Sequence, residues 1–201
     1  MKRNLILAGV GLALGLGLMA AFFFLRPYQY HGSLIQEDYA APDFALPDGD
    51  GGEFRLSEQR GDLVLIFFGY TYCPDVCPTT LSAMRQLHRA LGRNAEQVKV
   101  VFITVDPERD TPAKAAEYAR YFNPAFYGLS GDSEQLAGVW KDYGVFYQLN
   151  KDSPDDETYT VDHSSQVYLI DQGGNLRLTY SFGTPVEQIL EDVRHLLRRG
   201  V

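Results

Sequence analysis

The chain has 201 residues, 45% hydrophobic and 22% charged, which fits one domain of ordinary size plus an appendage and excludes a disordered chain, a collagen and a disulfide-dense miniprotein. Its formal charge is −8, but Lys2, Arg3 and Arg26 stand in the first 27 residues without an acid, so residues 28–201 hold 15 bases against 26 acids, a net −11. Such a domain repels phosphate backbones and anionic lipid, which argues against nucleic acid as a partner and leaves a positively charged protein or a plain acidic solubility surface.

From Leu5 to Leu25 no side chain is charged or strongly hydrogen-bonding. At about 1.5 Å of rise per residue, a helix of that length spans the roughly 30 Å hydrocarbon core of a bilayer. A cleavable signal peptide would have a shorter apolar region ending in small residues, whereas Ala20-Ala21 run directly into Phe22-Phe23-Phe24-Leu25. Residues 1–27 therefore read as an uncleaved transmembrane anchor. Lys2 and Arg3 stay on the cytoplasmic side, Arg26 opposing weakly, so the rest faces the periplasm or the cell exterior. No cysteine ends the apolar run, so a lipoprotein anchor is not indicated. Residues 28–41, with Gly32 inside and Pro27 and Pro42 at the flanks, read as a linker, and residues 42–201 as one domain.

The domain opens with Asp43–Leu46 and Glu53–Leu56, two short alternating runs joined by the turn-rich Pro47-Asp48-Gly49-Asp50-Gly51-Gly52, which predicts a hairpin. Leu63–Phe68 is apolar throughout and predicts a central strand buried on both faces. Leu81, Met84, Leu87, His88 and Leu91 then trace a helical stripe ending near Gly92, and Val98–Val105 predicts a second buried strand. Thr111 caps a helix with Pro112 at its first position, running to about Phe122; a shorter helix follows from Ser133 to about Tyr143. Val145–Leu149, Thr158–Val161, Gln166–Ile170 and Leu176–Tyr180 read as strands, with residues 150–157 an exposed loop and Asp171–Asn175 a tight hairpin turn. After Thr184-Pro185, the stripe Val186, Ile189, Leu190, Val193, Leu196 and Leu197 predicts a C-terminal helix. Strand, helix, strand, helix, two antiparallel strands and a final helix describe an α/β, thioredoxin-like fold: a mixed sheet flanked by helices, here with one N-terminal transmembrane helix.

The chain's two cysteines, Cys73 and Cys77, lie in Gly69-Tyr70-Thr71-Tyr72-Cys73-Pro74-Asp75-Val76-Cys77-Pro78, between a buried strand and a helix. In an oxidising compartment such a pair closes into a disulfide unless it is reduced or metal-bound, and a loop this short constrains the unfolded chain little. Redox or metal chemistry explains the pair better than a structural staple does. The prolines place Cys73 in the loop and Cys77 near the helix N-cap, with Pro78 at the first helical position. Both sulfurs then sit near the positive helix end, which favours the thiolate needed for either chemistry. Of the four histidines, His31 is distant in the chain, and His88 and His195 read as surface residues of helices. His163 stands just before the strand Gln166–Ile170, where a thioredoxin-type oxidoreductase has a cis-proline, and no proline occurs between Pro154 and Pro185.

The segments Cys73-Pro74-Asp75-Val76-Cys77-Pro78, Val105-Asp106-Pro107-Glu108-Arg109-Asp110-Thr111-Pro112 and Val161-Asp162-His163-Ser164, with Tyr168-Leu169-Ile170-Asp171 after them, resemble the Sco (SenC) family of copper-binding cytochrome oxidase assembly proteins. The likeness runs from about Tyr30 to the C-terminus and includes the single N-terminal anchor. The resemblance implies that Cys73, Cys77 and His163 are copper ligands. It also implies transfer toward the dinuclear centre of cytochrome c oxidase subunit II, with a copper donor chaperone and a thiol reductant as further partners, and a bacterial inner-membrane location. Copper fits the donor chemistry as well: two thiolates select Cu(I), an added imidazole tolerates Cu(II), and a structural zinc site would close with four ligands. The stretch Asp106–Pro112 reads as a strand-end turn and helix cap, with Asp106 near the site.

Three functions compete at this point. A membrane-anchored copper metallochaperone would load the reduced cysteines and His163 and pass the metal on by ligand exchange. A thiol-disulfide reductase would use one of Cys73 and Cys77 to attack and the other to resolve, keeping the oxidase cysteines reduced. A peroxidase would need a Thr-x-x-Cys setting for Cys77, and Pro74 occupies the threonine position.

Overall fold

In a computed structural model the described residues are 27–35, 39–153 and 158–199, together with Gly15, Gly17 and Met19. The anchor expected over residues 5–25 lies almost wholly outside them, and among the described residues no helix is long and apolar enough to cross a membrane. The chain divides into two units, Met1–Tyr30 and His31–Val201. In the first, Tyr28 and Tyr30 meet edge to face with ring centroids 5.0 Å apart.

The second unit contains, in chain order, β1 (Ser33–Leu34), β2 (Ala45–Pro47), β3 (Glu53–Arg55), β4 (Leu63–Gly69), α1 (Val76–Leu91), β5 (Val98–Thr104) and α2 (Pro112–Phe122). These are followed by β6 (Tyr127–Leu129), α3 (Ser133–Asp142), β7 (Tyr147–Asn150), β8 (Thr160–His163), β9 (Val167–Ile170), β10 (Leu176–Tyr180) and α4 (Val186–Arg199). The main sheet has six strands in the order β1-β10-β9-β4-β5-β6. β4, β5 and β6 run parallel, while β9 is antiparallel to both β4 and β10.

The apolar runs explain the centre of this sheet. All seven residues of β4 are buried, as are six of the seven in β5, so both strands are covered on both faces, as their uniform hydrophobicity predicts. Helix α2 starts as expected: the Thr111 side chain accepts the Lys114 N–H, and Pro112 occupies the first turn, where its missing donor costs nothing. Helix α3 is closed by a capping box between Asp132 and Gln135.

Several elements depart from the sequence expectation. Within the stretch read as a linker, Ser33–Leu34 pairs with β10 as an edge strand, and the buried Asp192 carboxylate of α4 accepts the backbone N–H groups of His31 and Gly32. β6 was not anticipated. Three residues carry too little pattern to announce a strand, and its burial depends on Gly128, where an added Cβ would come within 1.9 Å of the Ala115 carbonyl of α2. The strands expected at Val145–Leu149 and Thr158–Val161 start two residues later, at Tyr147 and Thr160, and pair only with each other as a separate two-stranded hairpin. That shift makes His163 the last residue of a strand, opposite Tyr147, rather than a loop residue.

Candidate metal centre

β4 runs out of the core at Gly69, whose carbonyl accepts the Val105 N–H at 2.7 Å, and the chain then turns through Tyr70–Cys73, where the Cys73 N–H reaches the Tyr70 carbonyl at 3.3 Å. Helix α1 begins at Val76, two residues earlier than expected, with Asp75 as N-cap. Pro78 therefore sits at the third helical position, which it tolerates because the first helical N–H groups have no partner within the helix. The Asp75 side chain makes no capping bond; instead the Cys73 sulfur accepts the Cys77 N–H at 3.3 Å.

Early helix entry separates the two cysteines. Cys73 is half-buried at the mouth of a cavity of about 400 Å³ lined also by Tyr70, Asp75, Asp162 and His163. Cys77 lies behind it, fully buried. Both are free thiols. A hydrogen bond from the Cys77 thiol, helped by the His163 ring and the Cys77 and Asp75 backbone N–H groups, holds the Cys73 pKa down at about 4. Burial, followed by the neighbouring Cys73 sulfur, pushes Cys77 the other way. The expectation that both sulfurs favour the thiolate is thus corrected at Cys77: hydrogen bonds, that from the Cys77 thiol first, hold Cys73 as the thiolate, and desolvation keeps the buried Cys77 protonated.

His163 reaches this pair from β8. Its Nε2 lies 3.5 Å from the Cys77 Sγ, and its Nδ1 lies 2.9 Å from the Ser164 carbonyl. A carbonyl only accepts, so Nδ1 is a donor, and Nε2 is the ring atom turned toward the sulfurs. Tyr70 and Phe67 stand edge-on to the imidazole at 5.8 and 6.2 Å between centroids and fix its plane. The donor atoms of Cys73, Cys77 and His163 all fall within 4.8 Å of one another, and among the described residues no other group of three such side chains converges in this way. Two sulfurs and one imidazole nitrogen form a soft set, one donor short of a closed structural zinc site.

The other histidines stay apart from this cluster. His31 pairs its Nε2 with Glu191 at 2.9 Å. His88 and His195, read as surface residues, are half-buried; the Asn123 side chain lies 3.0 Å from the His88 Nδ1, and burial lowers both pKa values.

The Asp106–Pro112 stretch, read as a strand-end turn and helix cap with Asp106 near the site, reaches both arms of the cluster through its side chains. The Asp110 carboxylate accepts the Thr71 N–H at 2.9 Å, the Thr71 hydroxyl at 2.5 Å and the Thr104 hydroxyl at 2.7 Å, pinning the loop two residues before Cys73. Asp106 is buried and accepts the Tyr159 hydroxyl at 2.5 Å, four residues before His163. Arg109 bonds Asp106 through Nε at 2.5 Å and donates to the Tyr159 carbonyl at 2.8 Å.

Comparison with known proteins is consistent with this geometry. The SCO1/SenC family model matches residues 33–198. An SCO2-like protein of Rickettsia felis is 36% identical over 198 residues, covering 95% of this chain and 97% of its own. The solution structure of apo Sco1 from Thermus thermophilus superposes with a TM-score of 0.75 at 38% identity, over 85% of this chain and 98% of that one. The copper-bound ScoI of Bradyrhizobium japonicum gives 0.71 at 38% identity, over 79% and 99%. The α/β, thioredoxin-like plan read from the sequence is therefore the fold these proteins share.

Proposed function

The chain belongs to the SCO1/SenC family, and from that premise we propose that it is a copper-binding protein serving cytochrome c oxidase assembly, with Cys73, Cys77 and His163 as the copper donors. The observation that carries the reading is the convergence of two sulfurs and the Nε2 of His163 within 4.8 Å at the head of a solvent-open cavity. Thiolates hold Cu(I), the imidazole extends the site toward Cu(II), and a half-buried, cavity-lining Cys73 beside a fully buried Cys77 gives an incoming acceptor one accessible ligand to replace first. Copper is cargo in this scheme. It enters only when the cysteines are reduced, because a disulfide offers no thiolate. An N-terminal anchor at residues 5–25 would hold the domain on the periplasmic or outer face of the bacterial inner membrane, where subunit II of the oxidase, a copper donor and a thiol reductant are the partners.

The unequal thiols favour a second reading. A low-pKa, accessible Cys73 backed by a buried Cys77 also suits a thiol-disulfide reductase in which Cys73 attacks and Cys77 resolves. Titrating the reduced protein with Cu(I) against a competing chelator separates the two. Stoichiometric binding, lost in Cys73→Ser and Cys77→Ser and weakened at least about a hundredfold in His163→Ala while disulfide exchange persists, supports the copper reading. Absence of binding by the reduced wild type overturns it and leaves the reductase.

A further inference from the structure

We infer that Arg109, fixed by Asp106, is a positioning residue that locks the strand bearing His163 to the cysteine loop and thereby sets the spacing of the three donors; this deepens the copper reading and rests on it. Arg109 is not itself a donor of the cluster. Its place follows from a weakness in the fold. β8 pairs only with β7, apart from the six-stranded sheet that carries the cysteine loop. A two-stranded hairpin has marginal stability alone, so side chains must hold it in register with the core.

Arg109 provides that hold at one planar group. Its Cζ lies 3.5 Å from the centroid of the Tyr159 ring, just upstream of β8, and 4.8 and 5.8 Å from those of Tyr72 and Tyr70 in the cysteine loop. The same guanidinium donates to Asp106 and to the Tyr159 carbonyl, while the Tyr159 hydroxyl closes the triangle on the second Asp106 oxygen. Tyr72 precedes Cys73 directly, and Tyr70 rests on the His163 ring. Neutralising the buried Asp106 would require only a positive charge. Bonding two acceptors in one plane while stacking on an aromatic face requires arginine, and lysine cannot substitute in that geometry.

The test uses the full chain with reduced thiols, the variants Arg109→Lys and Tyr159→Phe, and each of these combined with His163→Ala. Two quantities are measured: Cu(I) affinity by chelator competition, and amide hydrogen exchange of the metal-free protein. Arg109→Lys is expected to weaken Cu(I) binding by about tenfold when His163 is present and by less than about twofold when it is absent, because the lost interaction acts through the imidazole. Exchange at Thr160–His163 should quicken while Leu63–Gly69 stays protected. Tyr159→Phe, which keeps the ring and removes only the hydroxyl, should move both readouts in the same direction by less, and it carries the test if Arg109→Lys does not fold. Equal loss of affinity in both backgrounds, or unchanged exchange in β8, overturns the positioning role. Should the wild type fail to bind Cu(I), the copper reading is what falls, and exchange in β8 alone then decides the role of Arg109.

Discussion

The Cys77 sulfur and the His163 Nε2 stand 3.5 Å apart across 86 positions of sequence, and the contact is sealed: Cys77 is fully buried, while Cys73 faces the cavity. This arrangement predicts strict selectivity between the thiols. With Cys73 held at a pKa of about 4, well below the ordinary 9.0, it is a thiolate at every pH above roughly 5.5, and its alkylation by iodoacetamide should change little between about pH 6 and 8. An ordinary thiol would quicken nearly tenfold per pH unit over much of that range. Cys77 should stay unmodified until the protein unfolds. Peptide mapping of the reduced, metal-free protein checks this; labelling of Cys77 first, or a rate climbing steeply with pH, contradicts the assignment.

Gly69 closes β4 at the point where the strand backs onto the cluster. A Cβ built there would lie 2.8 Å from the Cys77 sulfur and 3.0 Å from the rings of Phe67 and Phe102, all of them buried. The sulfur is the nearest of the three and lies closer than real Cβ contacts allow, so it must shift. Gly69→Ala should therefore cost about 1–3 kcal/mol of stability and at the same time disturb the donor spacing. We expect Cu(I) affinity to fall by at least about tenfold, more than the stability loss alone would give. Paired thermal unfolding and copper competition measure both effects; wild-type affinity in a destabilised variant would show that β4 does not fix the sulfur.

The legible parts of this protein are those whose cause is local. β4 and β5 are apolar at nearly every position, Thr111-Pro112 makes a local cap, and the Cys73–Cys77 spacing with its prolines marks a special turn without any tertiary information. What stayed hidden depends on contacts between distant segments. Pro78 is compatible with either of two helix starts, and tertiary packing selects the earlier one and buries Cys77 with it. Asp110 meets Thr71 across 39 positions and Arg109 meets Tyr159 across 50, so no periodicity could reveal that one short motif braces both arms of the cluster. β6 requires the near contact of Gly128 with the backbone of α2, again invisible to a pattern of three residues.

Asp110 gives a pH dependence of defined sign. Burial raises its pKa above the ordinary 3.8, outweighing the lowering effect of its bonds to Thr71 and Thr104. Folding therefore favours the protonated carboxyl. The stability it contributes is fully present below about pH 3.8 and is lost as pH rises through the shifted value. Asp110→Asn keeps the shape, does not titrate, and turns an NH₂ group toward hydroxyls that the acid had bonded, at a cost of about 1–2 kcal/mol. The advantage of wild type over this variant in urea unfolding should be largest near pH 4 and shrink toward pH 8. An advantage that grows with pH would mean that the carboxylate, rather than the acid, is the form the fold prefers.

Asp192 carries a comparable load at the other edge of the sheet. It is fully buried in α4 and accepts the backbone N–H of His31 at 3.2 and 3.0 Å on its two oxygens, the Gly32 N–H at 3.0 Å and the Tyr180 hydroxyl at 3.1 Å. These bonds tie the chain just ahead of β1 to α4 and β10, where β1 itself contributes only two paired residues. Removing the acceptor strands several donors at once, so Asp192→Ala should cost about 3 kcal/mol, whereas Tyr180→Phe, which deletes one hydroxyl and leaves the carboxylate its backbone partners, should cost about 1 kcal/mol. For a domain of this size the first corresponds to a fall of roughly 6–12 °C in Tm and the second to roughly 2–4 °C. Hydrogen exchange should quicken at Gly32–Ile35 in Asp192→Ala before it changes in β4 or β5, because only the edge strand loses its anchor. Cu(I) affinity should be unaltered by either substitution, since these bonds join α4, β10 and the chain ahead of β1 and involve neither the cysteine loop nor the β7–β8 hairpin. A parallel loss of affinity would mean that the sheet edge and the metal centre are coupled by a route other than the Arg109 brace.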